Sequence, residues 1–157
     1  DDPDLTCRLS GLEHRSPHRF ILDSHAALAA ASRLATSAHD VPVSLISNAG
    51  ELPDDLRQLG VGLFAAEEFQ NRLALPEVLD DLASAGFFSV MVEGGAETAV
   101  SFLDHDLVDE IWLFASSVVV GSGGIVSPVM PGSLPSGFFV ARHLTLGDDT
   151  LTIMRRT

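Results

Sequence analysis

Glu93, Gly94 and Gly95 close the apolar run Val90 Met91 Val92 and lead into a helix-forming stretch, an order of residue types that suits an anion held beside a polar substrate. Two adjacent residues without a Cβ let a ligand come close to the backbone. The free N–H groups and the dipole of a helix's first turn favour a phosphate there. The Glu93 carboxylate could orient a polar ligand next to it. The same residues also read as a tight strand-to-helix connection with a solvated glutamate, because a lone glycine pair is a weak motif. They do not make the six-residue dinucleotide fingerprint: Ala99 suits its last place, but the spacing of Gly94 and Gly95 is wrong. Glu97 complements the helix dipole and would repel a phosphate unless it points outward.

Other candidates lie near the start of the chain. Arg8, in Leu5 Thr6 Cys7 Arg8 Leu9, offers a planar fork that matches phosphate oxygens, set against the commoner fate of a solvated surface arginine. Asp1 and Asp2 are paired acids suited to proton transfer if one pKa is raised, although acids at a chain start are more often frayed and solvated. Asp23 and Ser24, at the end of an apolar run, suit a helix cap by default and a ligand contact otherwise. Gly121 Ser122 Gly123 Gly124 lacks the lysine of a P-loop and reads as a flexible turn. The six histidines are scattered, and no Ser, His and Asp set forms a nucleophile elbow.

These residues must be positioned by elements that the apolar pattern outlines. Arg19–Asp23 reads as a short buried strand, followed by an alanine-rich stretch, 26–35, open to helix or loop. Val43–Ser47 and Val61–Ala65 read as strands, with a helical first turn at Pro53 Asp54 Asp55 Leu56 between them. Pro76 opens a helix at its first position, with Val78, Leu79, Leu82 and Ala83 at core spacing, and Gly86 stops it. Phe88–Val92 follows as a strand. Ala96, Ala99, Val100, Leu103 and Leu107 recur every three or four places and predict a helix with one buried face. Glu110–Ala115, apolar on both sides, predicts a central strand. Phe139–Leu146 and Leu151–Arg155 flank Gly147 Asp148 Asp149 as a hairpin. Strands alternating with helices before a final hairpin imply an α/β fold with a mixed sheet.

The 157 residues suit a single domain, 1–157, with a real core. A formal charge of −13 and 46% hydrophobic residues describe an acidic globule and argue against nucleic acid as a partner. Any phosphate site must be basic locally. One cysteine, Cys7, allows no internal disulfide, no Cys or His cluster has metal-site spacing, and a reducing cytoplasm fits best. No apolar run reaches the roughly 18 residues of a membrane span.

Taken together, Asp1 Asp2 Pro3 with Leu5 Thr6 Cys7 Arg8, then Arg19–Ser24, Val92 Glu93 Gly94 Gly95 Ala96, Leu107 Val108 Asp109 Glu110 Ile111 and Gly121–Gly124 resemble, in order, the reductase domain of riboflavin biosynthesis. The resemblance implies a dihydrofolate-reductase-like, three-layer α/β fold with a mixed, mostly parallel central sheet and a C-terminal β-hairpin. It implies NADPH-dependent reduction of 5-amino-6-(5-phosphoribosylamino)uracil to its ribityl counterpart, no metal in this domain, a homodimer, and fusion behind a zinc deaminase domain. By position, Asp1 falls beside the nicotinamide and ribose, where it would orient the sugar or relay a proton. Leu5 and Arg8 become a wall and a phosphate clamp for the substrate, and Ser24 a cofactor contact. Glu93 would bind substrate at the reacting centre. Gly94, Gly95, Ala96, Glu97, Thr98, Ala99, Val100 and Ser101 would surround the NADPH phosphates.

The chain departs from the family in starting at Asp1 Asp2 Pro3, where members carry an upstream strand, a lysine-bearing segment, a helix and another strand. Thr98 stands where an apolar residue is common. Two other functions fit the motifs: reduction of another pteridine or pyrimidine, and a non-catalytic ligand-binding or dimerisation module of the same fold.

Overall fold

A computed structural model describes residues 2–69, 72–119, 121 and 123–157, in two compact units, Asp1–Phe88 and Ser89–Thr157. The first unit is built on three parallel strands in spatial order β1-β2-β3: β1 (Arg19–Leu22), β2 (Val43–Ser47) and β3 (Gly62–Ala65). Parallel neighbours need a crossover between them, and short helices α1 (Arg33–Thr36) and α2 (Asp54–Gln58) lie within the two crossovers. The register sets Ile21 beside Leu45 and Leu45 beside Leu63.

β2 is central, and its alternate side chains feed two cores. Val43 and Leu45 pack with Leu34, Ala35, Leu52 and Leu56 from the α1 and α2 regions. Ile46 turns the other way and packs with Val78 and Leu82 of helix α3 (Leu75–Ser84), with Phe20 and Phe64 against them. The sheet therefore has helices on both faces, the three-layer arrangement expected of buried parallel strands. Leu45, Leu56 and Leu82 are almost wholly enclosed, each burial contributing about 1.5–3 kcal/mol.

Most predicted elements of this unit stand, with adjustments. Only 33–36 of the alanine-rich stretch is helical: Asp23 takes the Leu28 N–H at 2.8 Å, which bends the chain into a turn, and Ser32 caps α1 through the Ala35 N–H. Pro76 is the second residue of α3 rather than the first, Ala83 is exposed, and Gly86 ends the helix at φ +94°. A two-residue ladder, β4 (Glu68–Phe69) with β5 (Arg72–Leu73), precedes α3.

The second unit holds helix α4 (Ala96–Asp104) and an antiparallel sheet in the order β6-β8-β7, from β6 (Glu110–Ala115), β7 (Phe138–Leu146) and β8 (Asp149–Arg156). Its core joins Phe138 and Met154 with Val129, and Leu103, Val108, Ile111 and Leu113 pack against them. β7 and β8 form the predicted hairpin. Leu146 pairs with Asp149 across Gly147 and Asp148, and Gly147, at φ +67°, supplies the glycine-first geometry of a type II′ turn. Arg156 pins the sheet's start: its guanidinium bonds the Val108 and Asp106 carbonyls and the Asp106 carboxylate, and lies 5.2 Å over the Phe138 ring.

Three expectations fail here. Phe88–Val92 is not a strand: it pairs with no described strand, and Phe88 and Met91 are exposed at 87% and 72%. Apolar residues favour a strand only where a neighbour takes the backbone hydrogen bonds. β6 is an edge strand, not a central one: among the described residues it pairs with β8 alone, and its apolar residues alternate between the core and an open face bearing Trp112 and Phe114. The buried anchor of α4 is Phe102, while Val100, on the predicted inner stripe, is exposed. Gly124 donates to Gly121 in the glycine-rich loop, whose Ser122 lies outside the described residues. Among the described residues no helix is long and apolar enough to cross a membrane.

Candidate functional site

Gly95 is the N-cap of α4, at φ −68° and ψ −178°, and no side chain caps the helix. The first helical bond beyond it runs from the Ala99 N–H to the Gly95 carbonyl at 3.0 Å, so the N–H groups of Ala96, Glu97 and Thr98 precede the intrahelical ladder. The two glycines have different jobs. A Cβ at Gly94 would meet three atoms of the Thr98 side chain at 2.7–2.9 Å, whereas one at Gly95 would meet nothing within 4 Å. Gly94 thus admits the Thr98 side chain over the turn, and Gly95 leaves open space next to the free N–H groups. Glu93 and Glu97 are exposed at either side, Ala96, Thr98, Ala99 and Ser101 are half-buried, and Val100 is exposed.

The candidates of the first unit are held by a different device. Leu5 is half-buried against the α1 and α2 core, with φ +49°, and Asp2 has φ +48°. Arg8 is exposed, and among the described residues it has no ion-pair or hydrogen-bond partner. Its guanidinium is free to take an anion. Ser24 sits in the turn after β1, where the enclosed Ser47 hydroxyl donates to its carbonyl at 2.9 Å. The Ser24 hydroxyl has no bond among the described residues and is open to a ligand. Asp1 lies outside the described residues.

Arg19, Asp4 and Arg33 were not singled out by sequence reasoning, and the structure makes them the framework of the N-terminal segment. Arg19 is only 2% exposed. Its guanidinium donates to the Asp4 carbonyl at 2.9 Å, the Ser37 hydroxyl at 2.9 Å, the Ser37 carbonyl at 3.1 Å and the Val41 carbonyl, while Nε stays unpartnered. Burial pulls its pKa down, and the Asp4 carboxylate partly opposes this. Arg33 binds the Asp4 carboxylate at 2.6 Å, and its backbone N–H donates to Asp2 at 2.8 Å. The one signal in the sequence was a charge at the head of an apolar strand, Arg19 before Phe20 Ile21 Leu22. Next to it, His18 stacks on Phe20 with ring centroids 4.3 Å apart and shares a 2.9 Å hydrogen bond with Ser44. Burial, then the Arg19 charge, lowers the His18 pKa.

Residues 1–152 match the profile of the RibD C-terminal domain. The riboflavin biosynthesis protein RibD of Bacillus amyloliquefaciens is 34% identical over 131 residues, 82% of this chain and 34% of that protein. The RibD of Aquifex aeolicus is 25% identical over 158 residues, 99% of this chain and 43% of its own length. The chain thus spans less than half the length of these relatives. Among solved structures, a diaminohydroxyphosphoribosylaminopyrimidine deaminase/5-amino-6-(5-phosphoribosylamino)uracil reductase from Thermotoga maritima is similar with TM-score 0.73 and 28% identity, over 100% of this chain and 42% of that one. Acinetobacter baumannii RibD superposes with TM-score 0.73 at 21% identity, over 100% of this chain and 44% of that one, a likeness of fold. The architecture is the dihydrofolate-reductase-like α/β fold of RibD reductase domains. By its profile match and its relatives, this chain belongs to the RibD C-terminal domain family.

Proposed function

We propose that the chain is the reductase part of a riboflavin-forming enzyme, reducing 5-amino-6-(5-phosphoribosylamino)uracil to the ribityl compound with NADPH. The observation that carries this reading is the family match over residues 1–152, within which the motif residues keep their order. The uncapped N–H groups of α4 and the open space at Gly95 fit a pyrophosphate, and the free hydroxyl of Ser24 suits a polar ligand contact. When bound, the nicotinamide would supply a hydride.

The rest of the catalysis falls to the chain's side chains. Arg8 clamps the substrate's phosphate by charge-assisted hydrogen bonds. Glu93 accepts hydrogen bonds from the polar groups of the substrate. Leu5 walls the site, and Asp1 orients the open-chain sugar or relays the proton that the heteroatom at C1 gains on reduction. Holding the substrate removes freedom that would otherwise slow the encounter. The proposal includes an upstream strand laid against the exposed apolar 88–92, a zinc deaminase domain in the same polypeptide, and a cytoplasmic setting. It also includes a homodimer formed through the open face of β6, which carries Trp112 and Phe114.

The test is NADPH oxidation, followed at about 340 nm, by the full-length protein with the phosphoribosylamino substrate. Turnover that depends on this substrate is expected. Its absence, with the protein folded and NADPH bound, would refute the reading and leave a reductase of another pteridine or pyrimidine or a binding module. Arg8→Ala should raise the substrate KM by about tenfold or more, as expected for the loss of a charge-assisted pair worth about 1.5–3 kcal/mol.

A further inference from the structure

We propose that Asp4 and Arg33, braced by the buried Arg19, are positioning residues that pre-form the arm carrying Arg8; this rests on the reading of Arg8 as the phosphate clamp. The arm, residues 2–8, has no helix or strand to hold it, and two of its non-glycine residues, Asp2 and Leu5, occupy left-handed backbone at φ +48° and +49°. Such conformations persist only where the surroundings over-determine them. Here they do. The carbonyl and the carboxylate of Asp4, the residue between the two left-handed positions and next to Leu5, are gripped by different arginines, Arg19 at 2.9 Å and Arg33 at 2.6 Å. Arg33 also anchors Asp2 through its backbone N–H at 2.8 Å, and beyond Leu5 the Cys7 N–H donates to the Ser16 hydroxyl at 3.0 Å.

The two grips differ in depth. Arg19 is enclosed and locked to Ser37 and Val41, so it is part of the fold. The Arg33–Asp4 pair is outside it, with side chains 60% and 32% exposed, where an ion pair adds little to global stability. What it can do is hold the arm in one conformation before substrate arrives. An arm already ordered does not have to be ordered on binding, and that saving enters the affinity for the phosphorylated substrate. Arg8 carries out the grip, and Asp4 and Arg33 set where it is made.

The experiment is a double-mutant cycle on the full-length protein, with KM and kcat for the phosphoribosylamino substrate and thermal unfolding measured for each variant. Asp4→Ala, and separately Arg33→Ala, should raise the substrate KM about three- to tenfold, with kcat within about twofold and Tm nearly unchanged. In the Arg8→Ala background, Asp4→Ala should add nothing to KM, because the arm then has no guanidinium to place. Arg33→Lys should restore most of the lost affinity. A KM for Asp4→Ala equal to wild type, while Arg8→Ala shows its own loss, overturns the positioning role and leaves the clamp standing. An Asp4→Ala effect that persists undiminished without Arg8 also overturns it. A wild-type KM in Arg8→Ala itself refutes the clamp, and the inference goes with it.

Discussion

The two segments that carry the candidate ligand contacts are held in opposite ways. The arm at 2–8 depends on side chains: a buried guanidinium, an ion pair and a backbone N–H bonded to a carboxylate. The turn at 93–98 depends on bare backbone: a helix start without a cap and two glycines, one of them open to space. A site made of side chains can be dismantled one residue at a time. A site made of main chain is untouched by most substitutions, and is lost when a Cβ is added where the ligand must come close. The contrast predicts that substitutions separate stability from binding differently in the two places.

The largest effect belongs to Arg19. Arg19→Met keeps much of the side chain's volume and takes the guanidinium from the carbonyls of half-buried Asp4 and Val41, while the Ser37 carbonyl still accepts the Asp40 and Val41 N–H groups. Unpaired buried polar groups cost about 1–3 kcal/mol each, so the two carbonyls set an expected loss of about 2 kcal/mol or more in urea unfolding. Removing the buried charge returns part of this by ending its desolvation, and the unpartnered Nε shows that its bonding was incomplete. A change below about 1 kcal/mol would mean that the arginine's bonds and its desolvation cancel, and that the arm is braced some other way.

The glycine pair gives the next effect and divides it cleanly. Gly94→Ala drives a Cβ into three atoms of Thr98, all within 2.9 Å, so turning the threonine side chain does not relieve the overlap. It should cost about 1–3 kcal/mol, as overpacking does, and Thr98→Ala in the same molecule should restore only part of it, because the Cβ of residue 98 stays 2.7 Å away. Gly95→Ala meets nothing within 4 Å and should cost less than about 1 kcal/mol, the scale of replacing an N-cap glycine. NADPH binding should respond the other way round, weakening by about tenfold in Gly95→Ala when measured by calorimetry. Equal affinity for wild type and Gly95→Ala would move the cofactor phosphates away from this helix start.

How much of this was legible in the sequence follows from what each feature depends on. β2, α3 and the β7–β8 hairpin are local matters of apolar spacing and a Gly-Asp turn, and they lie where the pattern puts them. The short-range logic failed where a partner from elsewhere decides. Phe88–Val92 has a strand's composition, but strand geometry needs a neighbour. Glu110–Ala115 is apolar on both faces, and only the pairing order shows it to be an edge. At the candidate site, the helix start at Gly95 was readable because a glycine pair before a helical period fixes its own geometry. The Arg19–Asp4–Arg33 network was not, since its members are joined across 15 and 29 residues of chain and no spacing rule brings them together.

A smaller effect comes from His18, next to Arg19. Burial and the Arg19 charge put its folded pKa below the ordinary 6.5, so below 6.5 the unfolded chain binds the proton more readily than the folded one. The contribution is fully present above 6.5 and is lost as pH falls from there to the lowered folded value. Urea midpoints taken at about pH 7.5 and about pH 5.5 should therefore drop for wild type more than for His18→Gln, which can keep a bond to Ser44 without titrating. Parallel declines in the two proteins would show that His18 carries no linkage to folding.

The smallest effect tests the same idea on an exposed network in the second unit. Glu110 accepts from the Trp112 indole N–H at 2.5 Å and from Arg155 Nε at 2.5 Å, and these bonds, that of Trp112 first, hold its carboxyl below the ordinary 4.5. Its contribution is present above 4.5 and lost as pH falls through the lower folded value. Because the group is solvent-exposed, salt screens the ion pair and little global stability depends on it. Trp112 is the one tryptophan in the chain, so its fluorescence reports the bond directly. The emission of wild type should titrate with a midpoint below 4.5 that rises toward the ordinary value in high salt, and the transition should be missing in Glu110→Gln. A midpoint at 4.5 or above would mean that the Glu110–Trp112–Arg155 bonds do not persist in solution. An edge network would then hold only where, as at Arg19, it is enclosed.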